Sequence, residues 1–126
     1  MNIQSILLVG FGGGLGSILR YFLSTVIHFK NSKFYHFPLG TFAVNILGGF
    51  FIGLLLGLSL KNNFITENWK WFLVTGFCGG FTTFSAFTNE GYLLLKNQQI
   101  GMFLFYFFIS ISFGLLATTI GYLISK

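Results

Sequence analysis

Charge is what this chain has least of. Only 7% of its 126 residues are charged, and Asp and Glu together number 2, namely Glu67 and Glu90. A soluble domain of ordinary composition carries about 25% charged residues. The deficit, with a hydrophobic content of 54%, excludes a water-soluble fold and points to a protein embedded in a membrane. Cysteine is almost missing as well. Cys78 stands alone, so no intramolecular disulfide can form and no redox compartment can be read. His28 and His36 flank one loop at no ligand spacing, and no cluster of His, Cys or carboxylates suggests a metal centre. Basic side chains outnumber acidic ones, for a formal charge of +5, but they are scattered and not clustered. No nucleic-acid surface is expected from them. Met1-Asn2-Ile3-Gln4 lacks a basic leader region and no small-residue cleavage site follows the first apolar run, so no cleavable signal peptide is expected.

What is present is apolar sequence in span-sized lengths. A membrane-crossing helix needs about 20 residues. Four such segments fit, at about 6–28, 39–60, 69–95 and 102–124. The connections at 30–38, 61–68 and 96–101 are short, so a single all-α membrane domain over 1–126 is expected, with no extramembrane domain for enzyme chemistry.

An orientation signal is lacking too. Lys61, Lys70 and Lys126 fall on the side of the termini, and Lys30, Lys33 and Lys96 on the other. The positive-inside rule works through an imbalance. Equal counts predict insertion in both orientations, which can then pair antiparallel. The competing reading is that other factors impose one orientation.

Small residues recur at helical spacing. Gly49, Gly53 and Gly57 form one row in the second segment, and Gly12 and Gly16 another in the first. Such rows let backbones approach closely in lipid, between chains or within one. The glycine run 10–16 is no nucleotide fingerprint, because no strand precedes it and no acid follows about 20 positions on.

The third segment carries Gly79-Gly80-Phe81-Thr82-Thr83-Phe84-Ser85-Ala86-Phe87 in its middle. Two glycines followed by hydroxyls predict a break, tolerated in a membrane only where protein or a polar cavity satisfies the backbone. Polar groups at that depth mark a pathway or site. Asn45 lies near the middle of the second segment, with Thr41 one turn away. In the fourth, Tyr106, Ser110, Gly114 and Thr118 share a row. Phe84 and Phe87 share a face beside Ser85 if helix resumes after the break. Neutral donors and electropositive ring edges suit a small anion held weakly and released. Helix packing, with hydroxyls bonded to their own helix, is the plainer alternative. Arg20 either snorkels, pairs structurally or draws anions to a vestibule. Glu90 stands about 12 Å along a helix from Thr82, near a mouth.

These residues together resemble the Fluc/CrcB family of fluoride channels. The resemblance runs the whole length and rests on Gly12-Gly13-Gly14-Leu15-Gly16-Ser17-Ile18-Leu19-Arg20-Tyr21, on Gly40-Thr41-Phe42-Ala43-Val44-Asn45-Ile46-Leu47-Gly48, and on Gly76-Phe77-Cys78-Gly79-Gly80-Phe81-Thr82-Thr83-Phe84-Ser85-Ala86-Phe87. It implies four transmembrane helices with the third broken, an antiparallel dual-topology homodimer in the cell membrane, and two fluoride pores. It also implies that Asn45, Phe84, Phe87, Tyr106 and Ser110 line each pore. A central sodium ion (Na+) would be held by the backbone carbonyls of Gly79 and Thr82. Ala86 departs from the family, which often has threonine there. The alternative function is a proton-coupled small multidrug exporter, also a four-span dual-topology dimer. That chemistry needs a carboxylate deep in the membrane, and the first segment has none.

Overall fold

The computed structural model describes residues 1–30, 37–61 and 64–126, and every regular element among them is helical. Lys33 and His36 lie outside the described residues. Helix α1 (Ile3–Lys30) opens on a reciprocal cap. The Ser5 amide donates to Asn2 Oδ1 at 2.8 Å and the Asn2 amide donates to Ser5 Oγ at 3.2 Å, occupying donors that a first turn leaves unpaired. Pro38 precedes α2 (Leu39–Leu60), where its missing N–H costs nothing. Helix α3 (Glu67–Trp69) runs on through a π-helical stretch, Lys70–Cys78, into α4 (Gly79–Phe81). After two extended residues come α5 (Phe84–Lys96) and α6 (Ile100–Ser125).

Helices α1, α2 and α6 are long and apolar enough to cross a membrane. At 1.5 Å per residue they reach about 42, 33 and 39 Å, against a hydrocarbon core of about 30 Å. The segment expected as a third span is not one helix. Its second half, α5, has 13 residues and reaches only about 20 Å.

The helices meet through glycine, and both glycine rows serve packing within the chain. A Cβ on Gly53 would strike the Thr118 carbonyl of α6, and one on Gly57 the Ser125 hydroxyl. A Cβ on Gly12 or Gly16 would strike the Phe72 or Phe77 carbonyl of the π-helical stretch. Two close-packed pairs result, α2 with α6 and α1 with the π-helical stretch. Few apolar side chains are buried among the described residues: Val44, Ile65, Cys78, Phe81, Leu94 and Tyr106. Phe11, Phe22, Phe108 and Leu115, among many others, face outward. A surface so apolar is stable only against lipid or another apolar partner.

The break differs from expectation in its position. Gly79 is helical, with φ −62° and ψ −37°, and no glycine among the described residues has positive φ. The chain instead leaves the helix at Thr82 (φ −81°, ψ 155°) and Thr83 (φ −146°, ψ 120°). Gly80 is glycine for proximity, since a Cβ there would meet the Gly13 carbonyl of α1. Thr83 then caps α5 by accepting the Ala86 amide at its Oγ1, 3.1 Å, as threonine commonly does at a helix start.

Candidate functional site

The break is held open by an asparagine from another helix. Asn45 on α2 accepts the Thr83 amide at Oδ1 (2.8 Å) and donates from Nδ2 to the Thr83 carbonyl (3.1 Å). One side chain thus replaces both ladder bonds that a continuous helix would have given Thr83. Arg20 Nε and Ser17 Oγ on α1 donate to the Gly80 carbonyl, at 3.0 and 3.4 Å. Arg20 thus has a structural partner at the break. With the Thr83 and Ala86 amides diverted to side chains, no hydrogen bond from a described residue reaches the Gly79 or Thr82 carbonyl. Two carbonyls without a hydrogen bond from a described residue suit a hard cation that prefers oxygen ligands. Oxygen donors of this kind are compatible with a cation such as sodium.

Beside the break lies a cleft of about 490 Å³ between α2, α5 and α6. Asn45, Phe84, Phe87 and Ser110 all line it. Thr82 and Thr83 form its edge at the break, and Gly49, Gly114 and Thr118 widen it by their small size. The rings of Phe84 and Phe87 stand 6.0 Å apart, and Phe87 leans on Phe107 at 5.8 Å. Phe84 is 77% exposed, so this wall of the cleft is open to whatever lies outside the chain. Ser110 is the anomaly: its Oγ is buried and has no hydrogen-bond partner. Most buried polar atoms are paired, and each exception needs a reason.

Ser85, Thr41 and Tyr106, also expected at a pore, are not among the residues that line this cleft. Ser85 lies near the cleft's rim, its Oγ 3.2 Å from Thr83 Oγ1, and does not line the cavity. Thr41 and Tyr106 converge on Glu90. Thr41 Oγ1 donates to Glu90 Oε1 at 2.6 Å and Tyr106 OH to Oε2 at 2.9 Å. A carboxylate so placed is held by three helices, α2, α5 and α6. Both hydroxyl protons are committed to it, so neither is free to solvate an anion in this arrangement. The Tyr106 ring still touches the cleft's wall, 5.1 Å from that of Phe87. The Glu90 cluster therefore adjoins the cleft through two rings. His28 and Glu90 line two smaller cavities of about 270 Å³ each beyond it.

Sequence reasoning missed Phe107 and the part played by Gly49. Phe107 had no signal, being one of 19 phenylalanines. Gly49 was read as a packing glycine, whereas it borders the cleft with Thr118 Oγ1 3.1 Å from where its Cβ would stand.

The helices define a multi-pass membrane protein, and its cleft is lined by uncharged side chains, mostly apolar with a few hydrogen-bonding groups. The family model described as CrcB-like protein, Camphor Resistance (CrcB), matches residues 7–122. The chain is 48% identical over 124 residues to the "Fluoride-specific ion channel FluC" of Azobacteroides pseudotrichonymphae, covering 98% of each. It is 44% identical over 126 residues to the protein of that name from Flavobacterium psychrophilum, again covering 98% of each. A third, from Bacteroides fragilis, is 44% identical over 120 residues, with 94% of each covered. This chain belongs to the CrcB family.

Proposed function

We propose that this chain is a fluoride-specific ion channel that lets the anion leave the cell passively. It is a transporter and not an enzyme. The printed name of its relatives supports fluoride as the ion. The observation on this chain that carries the reading is the Ser110 hydroxyl, buried without a partner beside a cleft walled by Phe84 and Phe87. A small anion is costly to dehydrate, and a buried hydroxyl without a partner is costly too. Together each meets the other's need. Asn45 Nδ2 spends one N–H on Thr83 and has a second to give. The ring edges of Phe84 and Phe87 add weak positive potential. None of these donors carries a fixed charge, so the anion is held weakly enough to move on. Fluoride leaks down its gradient without ATP or a coupled ion. Nothing here favours drug export, since Glu90 is fully engaged by Thr41 and Tyr106.

The functional unit in this reading is an antiparallel homodimer of four-span subunits. The segment 67–96 crosses the membrane as the broken third span. A second, inverted copy closes the open wall at Phe84, which gives two pores per dimer. The even distribution of lysines supports insertion both ways. The Gly79 and Thr82 carbonyls of both copies would hold one sodium ion on the dimer axis. Its charge would lower the cost of an anion in the flanking pores.

The test is efflux from liposomes holding the purified chain. Fluoride should leave far faster than chloride, and Phe87→Ile should stop it while the dimer persists. Chloride efflux at a comparable rate would overturn the assignment. Dual insertion is tested separately with Thr66→Cys in a Cys78→Ser background, which leaves the lysine balance intact. Labelling should occur from both membrane faces, and labelling from one face alone would refute the antiparallel dimer.

A further inference from the structure

A further cavity, of about 330 Å³, lies between the end of α2 and the start of the π-helical stretch. Its origin is geometric. Helix α2 is drawn tightly onto α6 at Gly53 and Gly57, and the π-helical stretch is drawn tightly onto α1 at Gly12 and Gly76. Leu55 and Leu56 on one side face Val74 on the other, and side chains of that bulk keep the two helices apart. The wide turns of a π-helix, found mostly where a helix does something besides pack, form one entire wall of the gap.

Depth and rim chemistry indicate what fills it. Helix α2 ends at Leu60, so the mouth of the cavity, at Ser59, Glu67 and Lys70, stands at the membrane surface. Trp71 sits beside it, in the place where tryptophan anchors at a lipid interface. The interior is aliphatic and suits an acyl chain. The rim carries one negative and one positive side chain, a turn apart. Ser59 Oγ donates back to the Leu56 carbonyl at 2.7 Å, so towards the mouth this hydroxyl can only accept. A bound headgroup would thus meet two acceptors and one cation.

We propose that this cavity binds one phospholipid with a primary-amine headgroup, such as a phosphatidylethanolamine. Lys70 takes the phosphate, Glu67 and Ser59 accept from the ammonium, and one acyl chain lies between Leu55, Leu56 and Val74. A choline headgroup offers no N–H to the two acceptors, and a glycerol headgroup brings no cation to Glu67. The site is independent of the fluoride reading and would exist in a channel of any selectivity.

Native mass spectrometry of the detergent-solubilised full chain tests this, with phosphatidylethanolamine, phosphatidylcholine and phosphatidylglycerol supplied in equal amounts. The amine lipid should be retained about tenfold over the other two. Glu67→Gln, at an exposed rim position that does not threaten the fold, should erase that preference. Lys70→Gln should reduce retention of all three. Val74→Trp should fill the cavity and abolish retention with the oligomeric state unchanged. Equal retention of the three lipids, or a preference that survives Glu67→Gln, would overturn the proposal. So would a Val74→Trp chain that dissociates while keeping its lipid, which would assign the cavity to a second copy of the chain.

Discussion

Ser110→Ala separates a packing hydroxyl from a conducting one, because the two roles predict opposite signs. A packing hydroxyl would have a partner, and its loss would cost about 0.5–1.5 kcal/mol. Ser110 Oγ is buried with no partner, so its burial is paid at about 1–3 kcal/mol with no bond in return. Removing one oxygen leaves little cavity. The variant should therefore be more stable than the parent by about 1 kcal/mol. If the hydroxyl donates to fluoride in transit, the same change removes a hydrogen bond to a charged group, about 1.5–3 kcal/mol. At 1.4 kcal/mol per tenfold, flux should fall by roughly ten- to a hundredfold. The assays are reversible unfolding in mixed micelles and fluoride-electrode recordings of proteoliposome efflux, on the same preparations. A variant that is less stable and conducts normally would refute the reasoning. A variant unchanged in both would mean that water already satisfies the hydroxyl, and would refute it equally.

Asn45→Ala removes both bonds to Thr83 and should cost about 2–6 kcal/mol at two orphaned backbone groups, measured by the same unfolding assay, with fluoride efflux lost. Gly53→Ala places a methyl against the Thr118 carbonyl. It should prise α2 from α6 and destabilise by at least about 1–3 kcal/mol, whereas Gly114→Ala, with nothing within 4 Å of its Cβ, should be nearly neutral. Glu90→Gln leaves one carbonyl oxygen to serve two hydroxyls that now donate to two oxygens. The new NH2 can donate to a hydroxyl oxygen, so one hydroxyl must reverse from donor to acceptor, and stability should fall by about 0.5–1.5 kcal/mol, the net worth of one hydrogen bond. Replacing sodium with N-methylglucamine should reduce both fluoride efflux and dimer stability; if both survive verified removal, the shared cation is wrong.

Apolar length and turn composition alone bound the helices. The expected segments 6–28, 39–60 and 102–124 lie inside α1, α2 and α6, because a membrane-sized run of apolar residues has few other ways to satisfy its backbone. Asn45 and Ser110 stand out in the sequence as polar residues inside such runs, which are costly there, and the structure brings both to one cleft with Phe84 and Phe87. What the chain could not reveal locally was which partner each group would choose. The break was expected at Gly79-Gly80 because glycine is the usual breaker. It falls at Thr82-Thr83 because Asn45, 38 positions away, takes both backbone groups of Thr83. The glycines remain helical and let α1 approach. Thr41 and Tyr106 looked like pore donors by their spacing, yet both donate to Glu90 on a third helix. Arg20 had three plausible fates until the Gly80 carbonyl, freed by the break, came within 3.0 Å of its Nε. Periodicity records which face of a helix is polar. The strength of a hydrogen bond depends on distance and desolvation, and those exist only once the helices are packed.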